Sequence, residues 1–428
     1  MTRWKAALCA LLMTLFCAAC GADTPSAPDA DFVPALDTDT ACKLRVVGSY
    51  RNFESLEAEF DRFTVYYPNV ACSYVCLDAY NATIVPALSG PDAPQIYYIA
   101  PWMTDLKEYE PLFEAAEDLS DPTLDIDLSC IREGLLYRDD AGRVPLVPVF
   151  ASTYGMLVNE DIFETSGLPI PETYSELLSV CDALRQSGYE SPVMGYNSGK
   201  GLFNSIAAPY FRASVRGDAD AIRALNALEP SAGEYLRPTL ELVEDFMRHG
   251  CVNLDLCDQL EDNYEAVILR FFEGDAPIVF AHGDLVSGTA KRESLSQAFM
   301  EHPFRYSFRP VPLTEKGGYF LNIVSISFGV NRHAQSLDMA NEFMRFLVNA
   351  DELNRMAKMK RLVTPSVDLS LDGVYAAFGE VPPEQVLYEL EIPLLDPPIV
   401  QMRAAVQAVG RGEMSVEEAV RNFGTLKE

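Results

Sequence analysis

Between residues 43 and 101, short apolar runs alternate with amphipathic stretches. Lys43 to Ser49 (KLRVVGS) has the pattern of a strand. Phe53, Leu56, Phe60 and Phe63 then recur at helical spacing, behind Asn52 as the expected cap. Pro68 and Asn69 break the pattern, and Val70 to Leu77 alternates as a second strand. Asp78 is expected to cap a helix that carries Tyr80, Ile84 and Leu88 on one face, and QIYYIAP after Pro94 reads as a third strand. Strand, helix, strand, helix, strand requires crossover connections and hence a mostly parallel sheet. Ligands on such sheets bind outside the carboxyl ends of the strands. Those ends are Ser49-Tyr50 and Ala100-Pro101-Trp102.

From Met156 to Val193 two helices stand back to back. Asn159 can cap the first, and Gly167 ends it because glycine takes the left-handed conformation cheaply. Pro169 and Pro171 forbid helix between the two. Thr173, with Glu176 three residues on, has the spacing of a capping box. Leu177, Leu178, Cys181 and Leu184 give the second helix one apolar face, and Gly188 closes it. All of this is scaffold, so its meaning depends on its place in the whole chain.

The N-terminus predicts a compartment. Arg3 and Lys5 precede an apolar stretch from Ala6 to Ala19, too short for a spanning helix and suited to a signal peptide over 1–19. Ala18 and Ala19 lead to Cys20 and a glycine, which resembles the lipobox of bacterial lipoproteins, with Cys17 where leucine is usual. Cys20 is the expected lipidation site. Gly21 to Ala41, rich in Ala, Asp, Pro and Thr, reads as a flexible tether with a reach of roughly 25 Å. The 428 residues exceed one ordinary core, so two lobes are expected. A formal net charge of −30 argues against a nucleic-acid partner.

Seven cysteines follow Cys20. Cys72 and Cys76 on one strand face lie too far apart to bridge. Cys251 and Cys257 could be joined if the segment between them loops, and Cys130 and Cys181 read as core thiols. The odd count without paired C-x-x-C speaks against a zinc framework, and no cofactor is implied. The acidic run NLDLCDQLEDN lacks the turn glycine of an EF-hand and reads as a solvated loop. Nucleophile-elbow, zincin and P-loop motifs do not occur. His249 and His333 read as surface residues near helix ends, whereas His282 follows a strand, in FAHGD.

FESLEAEFDRFTVYYPNVACSYVCLDAYNATIVPALSGPDAPQIYYI resembles the opening of the extracellular solute-binding proteins of ABC importers, the family that includes maltose-binding protein. The doubled helix, ILRFFEGDAPIVFAHGD, the strand, helix pair and proline loop from Ser325 to Asp368, and GEMSVEEAV match further segments of that family in order. The resemblance implies an α/β fold of two lobes, each a mixed sheet flanked by helices, with a cleft between them. It places 42–149 and 282–330 in lobe 1 and 150–281 and 331–428 in lobe 2, after a lipidated cysteine and tether over 20–41. VPLVPVF would carry the chain across, and the doubled helix would be the first structure after the crossing. It implies a monomer that delivers a small solute, most simply a sugar, to permease subunits from a lipid anchor, without catalysis. A surface carbohydrate-active enzyme or adhesin, or a binding protein that feeds a sensor, stay open. Aromatic rings stack on sugar faces, so Trp102 is either a cleft residue or a core one, and Tyr154 follows the crossing. Tyr50, Asn197, Asn204, His282, Asp284 and Tyr319 are the other candidate ligand residues.

Overall fold

The computed structural model describes residues 32–90, 92–195, 200–260, 264–274 and 276–427. Strand β1 (Cys42–Gly48) runs parallel to β2 (Val70–Cys76) and to β3 (Ile96–Tyr98), as the crossover pattern requires. β4 (Val147–Ser152) belongs to this first sheet, and β5 (Tyr154–Asn159) to a second. One residue, Thr153, separates them. The second sheet has the order β6-β7-β5-β8, with β6 (Val193–Met194), β7 (Ile278–His282) and β8 (Tyr306–Arg309). After a hairpin of β9 (Pro312–Thr314) and β10 (Gly317–Gly318), the long β11 (Phe320–Val330) pairs with β12 (Val386–Tyr388), β4 and β3.

Each sheet is covered on both faces, because its residues alternate between two apolar clusters. Leu44, Val46 and Ile96 face helices Glu54–Tyr66, Leu337–Leu347 and Ala350–Lys360, while Val47, Tyr97 and Ile99 face helix Tyr80–Ala87 and the turns after Ala100. In the second lobe Met156, Val158, Ile278 and Phe280 face helices Tyr174–Gln186, Lys200–Val215, Arg237–Arg248 and Asp396–Gly410. Leu157, Val279 and Ala281 face helix Tyr264–Phe272 and Tyr375.

The doubled helix forms as its caps predict. The Asn159 side chain accepts from the Ile162 amide, Gly167 has φ 66°, and Thr173 and Glu176 make both bonds of a capping box. Two other expected caps fail. Helix Glu54–Tyr66 starts after Phe53 and helix Tyr80–Ala87 after a left-handed Ala79, and neither start takes a side-chain cap from Asn52 or Asp78. Burial of Phe53 and Tyr80 sets these starts instead.

The lobe boundaries differ from those expected. β8 pairs with β5, so 306–309 lie in the second sheet rather than in lobe 1. Helices Leu337–Leu347 and Ala350–Lys360 pack in the first lobe rather than in lobe 2. The reason is the length of β11: Leu321 and Ile323 sit in the second lobe's core, and Ile326, Phe328 and Val330 in the first. The chain therefore recrosses inside β11 and returns only after Lys360, where Val363 bridges to Ala151. The expected tether also begins to fold early. The Phe32 ring packs edge-on against Tyr66 and Phe346, and the Ala35 amide donates to Glu342. The tether's average composition conceals this one aromatic anchor. In the acidic run, Asn253 caps helix Leu254–Asp258, and Asp258 pairs with Arg411 at 2.8 Å. Glu261 and Asp262 lie outside the described residues.

The first lobe buries an ionic cluster. Arg62, 5% exposed, pairs with Glu352 at 3.1 Å and Glu59 at 3.4 Å. Burial, and then the neighbouring Glu352 carboxylate, push Glu59 up to about 9. Between its usual value of 4.5 and about 9, the folded protein holds a proton that the unfolded chain releases. Stability from this group therefore falls as pH rises through that window. We expect the melting temperature of Glu59→Gln, relative to wild type, to climb from pH 5 to pH 9 in thermal melts; a difference that stays flat with pH contradicts the assignment.

Candidate ligand-binding cleft

The site grows from the crossing between the sheets. β5 lies antiparallel to β7, so Tyr154, its first residue, faces His282, the last residue of β7. Their rings meet edge to face at 4.9 Å. The Gly283 amide donates to the Thr153 carbonyl at 2.8 Å. A Cβ at Gly283 would stand 2.6 Å from Ser152 Oγ and 3.0 Å from the Tyr375 hydroxyl, so the close approach requires glycine. The His282 side chain caps the short helix Gly283–Ser287 by accepting from the Asp284 amide. Asp284 Oδ1 in turn accepts from the Ser325 hydroxyl of β11 at 3.2 Å, at an irregularity in the β11–β4 pairing. Four elements thus converge within hydrogen-bonding reach of one another.

The titratable pair here is shifted in both members. Burial alone would lower His282, but the Asp284 carboxylate overrides it and the net shift is upward. Burial works against Asp284, and His282 and the Ser325 hydroxyl hold it below the usual carboxylate range. Ser152, His282 and Asp284 are the residue types of a hydrolytic triad, yet the geometry is not one. Ser152 Oγ at 3.4 Å and Asp284 Oδ2 at 3.2 Å both face the same nitrogen, Nδ1. A triad needs serine and carboxylate on opposite nitrogens, and Ser152 is fully buried.

Two cavities open from this point, of about 830 and 890 Å³. Both are lined by Tyr154 and Asn204, so they form two compartments of one cleft. Each is near the upper end of the range for small-ligand sites. The first holds Trp102 and a wall from the second lobe that includes Ile399 and Met402. Trp102 follows β3 and stands 38% exposed, edge-on to Tyr109 at 5.7 Å. On the floor lies Arg212, 6% exposed. Its one close carboxylate, Glu389, is 3.5 Å away, and its Nε has no partner. That Nε is sealed from solvent, so the guanidinium meets the cavity only through the small part of its surface that stays open. At the rim, Asp105 of the first lobe accepts from the Asp396 amide at 2.8 Å. This caps helix Asp396–Gly410 of the second lobe, which has no side-chain cap of its own. The second compartment carries Arg51 and Lys360 from the first lobe and Lys291 and Arg292 from the second, interleaved with Glu54, Glu265 and Asp284.

The comparisons agree with this geometry. A family model described as bacterial extracellular solute-binding protein matches residues 68–383. The chain belongs to this family of extracellular solute-binding proteins. Among solved structures, RafE in complex with raffinose is 16% identical with a TM-score of 0.68, covering 90% of this chain and 98% of that one; its unliganded form is from Streptococcus pneumoniae. The GacH receptor of Streptomyces glaucescens, solved unliganded and with acarbose, is 16% identical with a TM-score of 0.66, covering 90% and 97%. A Bacillus licheniformis sugar transporter protein solved with stachyose is 14% identical with a TM-score of 0.61, covering 89% and 98%. These likenesses establish the two-lobed fold. No curated protein sequence matches significantly.

In this solute-binding protein, Trp102, Tyr154 and Asn204 line the first compartment, and Tyr50, His282 and Asp284 join Tyr154 and Asn204 in the second. The Tyr50 ring is covered by the Lys360 ammonium at 5.6 Å. Tyr319 lines neither compartment; it packs against the second lobe's core beside Tyr210, because β11 carries the chain inward just after it. Asn197 and Cys20 lie outside the described residues. Reasoning from sequence missed Arg212, Glu389 and Asp105. Arg212 sits inside helix Lys200–Val215, where nothing in AAPYFRASV marks it. Its exposed-looking charge becomes a buried one only when Glu389 is brought to it from 177 residues away. Among the described residues no group of His, Cys, Asp or Glu is placed to hold a metal, and no helix is long and apolar enough to cross a membrane.

Proposed function

We propose that this solute-binding protein takes an oligosaccharide across both compartments, closes its lobes on it and hands it to the permease subunits of an ABC importer. The observation that carries the reading is a single cleft lined by rings from both lobes, Trp102 and Tyr154, and by the buried Arg212–Glu389 pair. Flat rings cover the apolar face of a sugar. The Arg212–Glu389 pair offers a donor and an acceptor side by side, which suits neighbouring hydroxyls. The first compartment has more carboxylates than cations in its lining, Asp105, Glu133, Glu389, Glu391 and Asp396 against Arg138, Arg212 and Arg403, which favours a neutral ligand over an anionic one there. RafE, GacH and the Bacillus licheniformis protein, whose structures hold raffinose, acarbose and stachyose, support the ligand class.

In this reading the protein is a monomer without catalytic activity, and acylated Cys20 holds it at the outer face of the membrane. Cys20→Ala then moves the protein from the membrane fraction to the soluble one; retention in the membrane would contradict the anchor. For the ligand, the test is calorimetric titration of the mature protein with neutral oligosaccharides, beginning with raffinose, stachyose and acarbose. Loss of a central stacking ring in Trp102→Ala should weaken binding about thirtyfold, near 2 kcal/mol. Arg212→Ala should cost about tenfold or more, and Arg212→Lys should not restore it, since a lysine lacks the planar fork. Affinities unchanged in both Trp102→Ala and Arg212→Ala, or multiple turnover of a sugar by the wild type, would overturn the proposal.

A further inference from the structure

The second lobe brings together two cysteines that are 70 positions apart in the chain. Cys181 lies on helix Tyr174–Gln186, and Cys251 follows helix Arg237–Arg248. Contacts on either side hold these segments in register. The Tyr174 hydroxyl donates to Asp245 at 2.9 Å, seven residues before Cys181. Arg185, one turn after Cys181, donates to the carbonyl of His249 at 3.2 Å and approaches that of Gly250. On its other side Cys251 is fixed by its carbonyl, which accepts from Val193 of β6 at 3.0 Å. Between these clamps both side chains are buried in one apolar cluster, at 1% and 0% exposure. These clamps bring the two side chains together in that cluster, and the neighbouring Cys251, with burial, pushes the Cys181 thiol up. Cys257 turns instead to the backbone of Gly195, so it does not compete for Cys251.

We propose that Cys181 and Cys251 are the site of a disulfide bond in the exported protein, joining the doubled helix to the turn that precedes helix Leu254–Asp258. The family is extracellular, and disulfides persist in oxidising compartments. The bond forms by thiol–disulfide exchange with an oxidised dithiol donor outside the cytoplasm. One thiolate attacks the donor disulfide and the second thiolate displaces the donor sulfur. Two protein thiols lose two protons and two electrons, and the donor leaves as a dithiol. Buried thiols are inert once packed, so the exchange takes place while the lobe is still folding. All seven described cysteines, Cys181 and Cys251 included, are free thiols in this structure, and the proposal leaves Cys42, Cys72, Cys76, Cys130 and Cys257 reduced. The bond closes a loop of about 70 residues and restricts the unfolded chain accordingly.

The full chain, exported by a bacterial host and purified without reductant, provides the test. After alkylation and digestion, non-reducing peptide mass mapping should recover a peptide pair that carries Cys181 and Cys251, lighter by two hydrogens than the separate peptides and split by reductant. Adding reductant to the wild type should lower the melting temperature by about 5 °C. Cys181→Ala, Cys251→Ala and the double substitution should each lower it by a similar amount, without adding, and should abolish the response to reductant. Recovery of both cysteines as alkylated thiols, or of Cys251 linked to Cys257, would overturn the proposal. So would a wild-type melting temperature indifferent to reductant while the substitutions lower it, since the two thiols would then only be packed.

Discussion

The architecture depends on one backbone hydrogen bond, from the Gly283 amide to the Thr153 carbonyl. Thr153 is the single residue between β4, in register with β11, and β5, in register with β7. The bond pins the end of β7 to the point where the chain changes sheets. It exists because Gly283 has no side chain to collide with Ser152 and Tyr375. With the crossing pinned, Tyr154 and His282 are placed beside the cleft, and a rotation of the two sheets must also pass through the crossings in β11 and after Lys360. Hinges of this kind concentrate a large rotation in a small number of dihedral angles.

A second brace joins the other two crossing segments, β11 and the chain after Lys360. Arg132, buried and pulled below its usual value by that burial, donates to Asn322 of β11 at 2.6 Å and to the carbonyl of Thr364. Asn322 also donates to Leu387 of β12. Most of each lobe is filled by its own apolar cluster, while a further cluster joins Leu135, Ala151 and Val363 to Leu157, Val279 and Ala281 across the junction. A ligand can close the lobes only by binding the closed arrangement better than the open one. In the proposed reading, contacts from both lobes, Trp102 and Asp105 on one side and Arg212, Glu389 and helix Asp396–Gly410 on the other, provide that difference.

Much of the scaffold was legible because it is local. The parallel β1, β2 and β3, the capped pair of helices from Asn159 to Gln186 and the carboxyl ends at Tyr50 and Trp102 all follow from periodicity, caps and proline. The family resemblance rested on the order of such segments. What escaped depends on contacts distant in sequence. Asn52 and Asp78 have the chemistry of caps, yet Phe53 and Tyr80 are drawn into the core and set the helix starts. One ring, Phe32, docks a stretch whose composition reads as linker. The length of β11 sends helices Leu337–Lys360 back to the first lobe, and no local signal says which sheet a strand will join. Arg212 and Glu389 become a site only through the fold. Tyr319 had the right residue type and turned into the core.

A sugar that binds across both compartments should draw the two lobes together about Thr153. Small-angle scattering of the wild-type protein, titrated with an oligosaccharide that calorimetry shows to bind, tests this closure most directly. The radius of gyration should fall saturably, with a midpoint matching the calorimetric affinity. Tight binding with no change in the scattering profile would contradict it, because the ligand would then have engaged one lobe alone.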